Sequence, residues 1–408
     1  ASRMTVNPVW KQVLPPDLAR GDGPWLRLPG TVEDGVVRLG DHAGRRVVGV
    51  VTVDQEKLAE PDDVVDRLWR AIAAIGDSLP AQGGRARSLV GLPLPGTGDG
   101  GLAHRRGEVV QALVDRHRSE PPSLDLALML HKRRDFVAVQ AARELDAWPA
   151  LSAELTEEAD RLGRLAAAGQ LSLFVGAGAS QPVGMPSWDA LLDKLAAAVE
   201  PPERRTGNPV EDAERIVGGL GLSRYGEIMA ETFTTEKHAV AHGLLASLRP
   251  MQTVTTNYDP CLEHAYAPVF GETEFRVMTR NLADATRPWV LKLHGDVSDP
   301  SSVVLTRSDY EVHGEEFGAL YGVVQALMLT SHLLFVGFGM QDQAFLQLAA
   351  GVARVRARAS DRGDGPAPGT ALSLTTPAAA PVADLHYVTM TETGELAEAA
   401  RTLEIFLD

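Results

Sequence analysis

A chain of 408 residues with 44% hydrophobic and 23% charged positions is large enough for two or three domains with their own cores. Its net charge of -15 opposes broad binding to nucleic acid or to an anionic membrane, because the mean field repels phosphate. A single cysteine, Cys261, rules out an intrachain disulfide framework and a CxxC zinc site, and with no signal-like or membrane-length apolar run the expected location is cytoplasmic.

Residues 4–150 read as a first α/β unit. Arg46–Val53 predicts a buried strand. Asp62–Ile75 predicts a helix capped by Asp62 or Asp63, with Val64, Val65, Leu68, Trp69, Ile72 and Ile75 on its apolar face. Ser88–Leu92 predicts a second strand, Arg106–His117 a helix, Ser123–Leu130 a strand and Phe136–Leu145 a helix. Strands alternating with helices imply a parallel sheet. Between the second strand and its helix lie Gly96, Thr97, Gly98, Gly100 and Gly101, candidate residues of a nucleotide loop. The same composition also makes a flexible connection that needs no ligand.

Asp146–Leu162 predicts a helical connector, and residues 165–408 a second unit. Leu171–Val175 is an apolar strand, Gly176–Ser180 a glycine turn, and Trp188–Val199 a helix with Leu191, Leu192, Leu195 and Val199 on one face. Strand, glycine turn and helix form the nucleotide-cradling unit of a doubly wound fold, in which glycine lets the backbone approach a pyrophosphate and the helix start supplies N–H groups. Taken alone, such a turn serves equally well with nothing bound. Helices are expected over Val210–Leu248, then strands at Gln252–Asp259, Trp289–Asp296, Ser302–Thr306 and His332–Gly339. An exposed loop is expected within Gly351–Gly369, strands at Thr370–Thr375 and Leu385–Met390, and a terminal helix at Gly394–Leu407. The carboxyl ends of parallel strands line the ligand crevice, so Gly-Ala-Gly-Ala-Ser, Thr-Asn-Tyr-Asp, His-Gly-Asp and Gly-Phe-Gly would reach one edge.

Four motifs, GAGAS (Gly176–Ser180), TTNYD (Thr255–Asp259), LHGD (Leu293–Asp296) and VGFG (Val336–Gly339), occur in this order and resemble those of the sirtuin superfamily, in its bacterial branch that includes NAD-hydrolysing effectors of antiphage defence. The stretch Leu92–Leu102 resembles, more weakly, the phosphate loop of macrodomains, without the Asn-rich catalytic segment of the hydrolytic ones. The resemblance implies a Rossmann-like parallel-sheet domain preceded by a smaller macrodomain-like α/β domain that senses an ADP-ribose-like nucleotide. It implies that Gly176, Ala177, Gly178 and Ser180 cradle the pyrophosphate of NAD, with Thr256, Gly337 and Gly339 completing the cofactor site. It gives Asn257, Asp259 and His294 the catalytic roles. Thr256 stands where the family has Gln, Phe338 interrupts the family's glycine motif, and the zinc ribbon of protein-deacylating sirtuins is missing. NAD is therefore expected as substrate, with no metal, in a homo-oligomer.

The chemistry suits these residue types. Cleaving the nicotinamide–ribose bond builds oxocarbenium character that a carboxylate such as Asp259 stabilises. Asn257 can orient ribose hydroxyls or a water, and His294 offers an imidazole, the side-chain type most often used as a general base. Each motif alone also has a structural use: Asn257 and Asp259 as helix caps, His294 as a satisfied strand-end residue. Asp296 and Asp342 read as caps, Tyr258 and Phe338 as packing residues, and Cys261 as a buried filler. The expected activity is NAD hydrolysis to nicotinamide and ADP-ribose. The alternatives are protein ADP-ribosyl transfer or deacylation, and a nucleotide sensor without chemistry.

Overall fold

The computed structural model describes residues 3–5, 25–27, 36–42, 45–50, 60–76, 84–98, 101–130, 132–143, 151–279, 286–312, 314–359, 368–377, 380–392 and 394–408. The chain divides into two compact units, Ala1–Pro149 and Ala150–Asp408. Among the described residues no helix is long and apolar enough to cross a membrane.

In the first unit, strands β1 (Arg3–Thr5) and β2 (Trp25–Arg27) pair antiparallel, as do β3 (Val36–His42) and β4 (Arg45–Val50). Among the described residues, the strand expected from Arg46 onward thus pairs antiparallel with β3 and joins no parallel sheet. Helix α1 (Pro61–Gly76) is followed by β5 (Leu89–Pro93), α2 (Arg106–Ser119), β6 (Asp125–Met129) and α3 (Arg133–Ala142). Strands β5 and β6 are parallel, joined by the crossover through α2. Val64, Val65, Trp69 and Ile72 of α1 pack with Leu92 and with Val109, Val110 and Leu113 of α2. This is the face the helical spacing predicts.

The second unit opens with α4 (Ala153–Ala167), whose N-cap Ser152 accepts from the Leu155 N–H. The elements that follow are β7 (Leu171–Val175), α5 (Trp188–Ala197), α6 (Pro209–Leu220), α7 (Leu222–Phe233), α8 (Val240–Ser247), β8 (Gln252–Thr255) and α9 (Cys261–Phe270). Then come β9 (Arg276–Met278), β10 (Trp289–Lys292), α10 (Arg307–Val312), α11 (Gly314–Thr330), β11 (His332–Val336), α12 (Gln343–Ala359), β12 (Gly369–Thr375), β13 (His386–Thr391) and α13 (Leu396–Leu407). The exposed loop expected before β12 lies, for residues 360–367, outside the described residues.

Seven strands form one parallel sheet in the order β13-β12-β11-β7-β8-β10-β9. From β7 the chain builds toward β9 on one side. It returns to place β11 on the other, so the strand order reverses between β7 and β11. A doubly wound sheet binds its ligand at such a switch point. Strands β7, β10 and β11 are buried at every position, the near-continuous apolar pattern of strands covered on both faces. Phe174, Phe335, Phe338 and Phe345 form a ring cluster beneath the switch point, with Phe174 and Phe338 centroids 4.4 Å apart.

Ser302–Thr306 is not a strand. Pro300–Ser302 is a 3-10 turn, and Val303–Leu305 run as a buried loop against the turn after β10, with the Val304 N–H donating to His294 O at 2.9 Å. Val303 and Leu305 pack into the helical cluster of α5, α6 and α7, and Val304 into the core beside the sheet, which gives the hydrophobic run a cause other than sheet pairing.

Candidate functional site

The turn after β7 is built against the turn after β11. Gly176 N–H donates to Val336 O and Gly178 N–H to Gly337 O, each at 2.9 Å. A Cβ on Gly176 would lie 2.6 Å from Gly337 O, and one on Gly337, where φ is +66°, would lie 2.3 Å from Ala179 N. These glycines are required by the contact between the two loops. Ala179 and Ser180 N–H groups turn back onto Gly176 O and Ala177 O. The helix begins at Trp188, as its spacing predicts, but two 3-10 turns separate it from the glycines, so its N-terminal N–H groups do not belong to this turn. Gly339 differs from the other glycines, because a Cβ there would meet nothing within 4 Å. Next to it, Met340 is buried with φ of +51°, an uncommon conformation for a side-chain-bearing residue.

The loop after β8 carries Thr256, Asn257 and Asp259. Thr255 Oγ1 donates to Val175 O and accepts from the Asn257 N–H, at 2.8 and 3.0 Å, which fixes the loop to β7. Asn257 is 6% exposed. Its Nδ2 donates to Gly176 O at 3.2 Å and to Ser180 Oγ at 3.1 Å. Its Oδ1 is buried and, among the described residues, has no hydrogen-bond partner. An amide oxygen left unpaired in a protein interior costs about 1–3 kcal/mol, so this atom is a ready acceptor for a ligand donor. Thr256 is half-buried beside it. Asp259 is buried, and its Oδ1 accepts from the Cys261 N–H at 3.1 Å at the start of α9. That is the capping use, occupying one oxygen of the carboxylate. Tyr258 packs on Phe233 and donates to Val304 O at 2.8 Å. Cys261 is fully buried and burial pushes its thiol up, so it is a filler and not a reactive group.

Sequence reasoning missed Lys292, the last residue of β10, which is fully buried. Its ammonium reaches Asp296 Oδ2 at 2.7 Å and Glu263 Oε1 at 2.9 Å, and donates to the carbonyls of Tyr258 and Asp259 at 3.1 and 2.9 Å. Burial presses its pKa down, but the two carboxylates hold it above the ordinary lysine value. The ammonium ties the Asn257–Asp259 loop to the turn holding His294. A lysine within an apolar strand was the signal available for it.

His294 follows β10 and is 5% exposed. Its Nε2 lies 3.1 Å from Asp342 Oδ2 and 3.3 Å from the Tyr321 hydroxyl, which itself donates to Asp342 Oδ2 at 2.9 Å. Asp342 Oδ1 accepts from the Phe345 N–H at 2.9 Å. Asp342 is therefore the cap that its position before α12 suggests, and also the partner of His294. Burial alone would raise its carboxyl, but His294, the Phe345 N–H and Tyr321 hold it down to about 2. The rule that strand ends deliver polar groups to one edge reaches Asp342 as well. Tyr321, in the middle of α11, carried no such signal.

In the first unit, Gly96 has φ of +69° and Gly101 +81°, and the Leu102 N–H donates to Gly96 O at 2.9 Å, closing the loop on itself. Thr97 is turned inward: its hydroxyl donates to Leu94 O at 2.8 Å, and its carbonyl accepts from Arg106 at 2.6 Å. Arg106 also pairs with Asp135 at 2.6 Å. The Thr97 side chain is thus engaged by its own loop, while a Cβ on Gly98 would meet nothing within 4 Å. Gly100 lies outside the described residues. Among the described residues no group of three or more His, Cys, Asp or Glu side chains is placed to hold a metal ion.

Residues 252–371 match the family model of the SIR2-like domain, a span that holds the TTNYD, LHGD and VGFG motifs. The NAD(+) hydrolase ThsA of Enterococcus faecium is 33% identical over 183 residues, covering 43% of this chain and 38% of that protein. ThsA of Bacillus cereus (strain MSX-D12) is 30% identical over 183 residues, covering 42% and 37%. Defense-associated sirtuin 2 of Bacillus subtilis is 26% identical over 190 residues, covering 43% and 18%. The chain spans less than two fifths of the length of these relatives. Over that stretch it is sirtuin-like.

Proposed function

We propose that the chain hydrolyses NAD to nicotinamide and ADP-ribose, as a sirtuin-like effector of bacterial antiphage defence. The observation that carries this reading is the buried Oδ1 of Asn257, unpartnered among the described residues, in the loop after β8 beside the switch point, with His294 at the end of the neighbouring strand β10 and paired to Asp342. In the reaction the bond between ribose C1′ and the pyridinium nitrogen breaks, and its electron pair leaves with neutral nicotinamide. Water forms the new bond at C1′, and His294 takes the proton that water loses. Asn257 Oδ1 accepts from a ribose hydroxyl or from that water. Asp259 opposes the positive charge that develops at C1′. Gly176, Ala177, Gly178 and Ser180, with Gly337 and Gly339, form the loops against which the pyrophosphate is held. Ordering of Tyr321 and Asp342 around His294 keeps its ring in one orientation, the role a buried carboxylate plays toward a catalytic imidazole.

The test is nicotinamide release by the purified full chain and by Asn257→Ala and His294→Ala. Turnover equal to wild type in both variants removes these residues from the mechanism. No turnover by the wild type, with ADP-ribose and cyclic nucleotides also supplied, removes the enzyme reading.

Residues 4–150, as a macrodomain-like unit ahead of a catalytic domain at 165–408, are assigned a regulatory role in binding an ADP-ribose-like nucleotide at Gly96, Gly98 and Gly101. The open position at Gly98 and the parallel β5–α2–β6 crossover support it. Calorimetry with ADP-ribose checks it, and no heat of binding to the full chain would refute it.

A further inference from the structure

Helix α8 closes the helical insert between β7 and β8, and its His242 is fully buried. The Ala239 N–H donates to Nδ1 of this ring at 3.1 Å. Nδ1 is then an acceptor, and the proton of the neutral imidazole must sit on Nε2. Nε2 lies 3.4 Å from Ser180 Oγ, to which it donates. Ser180 is also fully buried, and the same oxygen accepts from Asn257 Nδ2 at 3.1 Å. With both of its acceptor directions filled, the Ser180 hydroxyl donates onward, and the Cys261 thiol is its hydrogen-bonding neighbour, itself bonded to Asp259. Ser180 is thereby held from two sides, in the one orientation that faces the Asn257 amide nitrogen with an oxygen. If Asn257 flipped its amide, Oδ1 would face two oxygens, Ser180 Oγ and Gly176 O. The nitrogen is therefore kept toward the protein and Oδ1 is kept outward and unpaired.

We infer that His242 is a positioning residue for Asn257, acting through Ser180 to fix which end of the amide is presented to the substrate. This rests on the NAD-hydrolysing reading for its effect on turnover, but the orientation of the amide can be read without turnover. Protonation of His242 would break the arrangement, since the Ala239 N–H would then face a second donor. The groups facing the ring electrostatically are Asp259, which favours its charged form, and His238, which opposes it.

Two substitutions separate positioning from the capping of α8. In His242→Asn, the side-chain oxygen can occupy the Nδ1 position and keep the Ala239 N–H, but nothing reaches Ser180. In His242→Gln, a donor can occupy the Nε2 position and keep Ser180, but the Ala239 bond is given up. The full chain is assayed for nicotinamide release, thermal unfolding, and the exchange protection of the Asn257 side-chain amide protons by NMR. The expected result is that His242→Asn unfolds near the wild-type temperature but loses kcat roughly 10- to 100-fold, while His242→Gln unfolds earlier and keeps kcat within about 3-fold, the scale set by misplacing one positioning group. Asn257 amide protection is expected to fall in the Asn variant and persist in the Gln variant. The opposite ranking, or losses of kcat that simply follow the unfolding temperature, overturns the inference. If the wild type releases no nicotinamide, the enzyme reading falls and the amide protons decide alone. Unchanged protection in His242→Asn overturns the positioning role, and lost protection with retained folding upholds it.

Discussion

Asp342 Oδ1 caps helix α12 through the Phe345 N–H while its Oδ2 faces His294 Nε2 at 3.1 Å, so one carboxylate anchors a helix and orients an imidazole. Asp342→Asn separates these two uses. The amide oxygen can keep the cap, but the amide nitrogen would be a donor facing a donor at Nε2. We expect kcat for nicotinamide release to fall by about 100-fold or more, the direction seen whenever the orienting carboxylate of a catalytic His becomes an amide. The carboxyl is held at about 2, below the ordinary value near 3.9, so its stabilising contribution is present above pH 4 and lost as pH falls through 2. Acid unfolding of the Asn variant should therefore lack part of the wild-type loss in that window. An unaltered kcat in this variant would leave the pairing with His294 purely structural.

The glycines of the site divide into two kinds, and substitution distinguishes them. Gly337→Ala meets Ala179 N at 2.3 Å in a left-handed conformation, and should lower stability by about 1–3 kcal/mol or more together with activity. Gly339→Ala meets nothing, so the unfolding temperature should stay at the wild-type value. If Gly339 lies against the cofactor, the same variant raises KM for NAD without moving the unfolding temperature. Normal KM and normal stability together would remove Gly339 from the cofactor site.

Lys292 is surrounded by Glu263, Asp296 and two carbonyls that belong to the Asn257–Asp259 loop. Lys292→Met removes the cation and leaves two carboxylates without it, one of which already has a buried unpaired oxygen, Glu263 Oε2. Breaking a buried pair from one side costs about 3–5 kcal/mol, and denaturant unfolding should show a loss of that size. The double variant Lys292→Met with Glu263→Gln should recover part of it. Recovery of stability without recovery of kcat would mark the tether to the loop carbonyls as the functional part of this cluster.

How far the sequence carried this site depends on whether its neighbours are set by local pattern or by tertiary packing. The alternation of buried strands with amphipathic helices located β7, β8, β10 and β11, and hence the sheet edge where Asn257, Asp259 and His294 lie. Local pattern could not separate Val303–Leu305 from a strand, since apolar residues read alike in a sheet and in a buried loop. Nor could it show that Gly176 and Gly178 are also needed for a loop-to-loop contact with Gly337, made by residues far apart in the chain. Tyr321 and His242 were out of reach for the same reason, and Lys292, although conspicuous as a lysine within an apolar strand, could not be given its partners. Each earns its place through partners on other elements, and nothing in the spacing around it names them.

The buried imidazole of His242 makes the stability of the fold depend on pH in a way that can be isolated. Burial holds its pKa down to about 4, with Asp259 pulling the other way, against about 6.5 for a free histidine. Between those values the unfolded chain binds more protons than the folded one. Stability contributed by the neutral ring is therefore complete above pH 6.5, is lost as pH falls toward 4, and changes no further below that. The full window corresponds to about 3 kcal/mol for one group. Denaturant unfolding of wild type and His242→Asn at pH 7.5 and pH 4.5 gives the comparison, since every other titrating group is common to both. The wild type should lose more stability than the variant across this interval. An equal loss in both would mean that His242 takes up a proton in place, and that the neutral ring bonded to Ala239 and Ser180 is not the state that the fold requires.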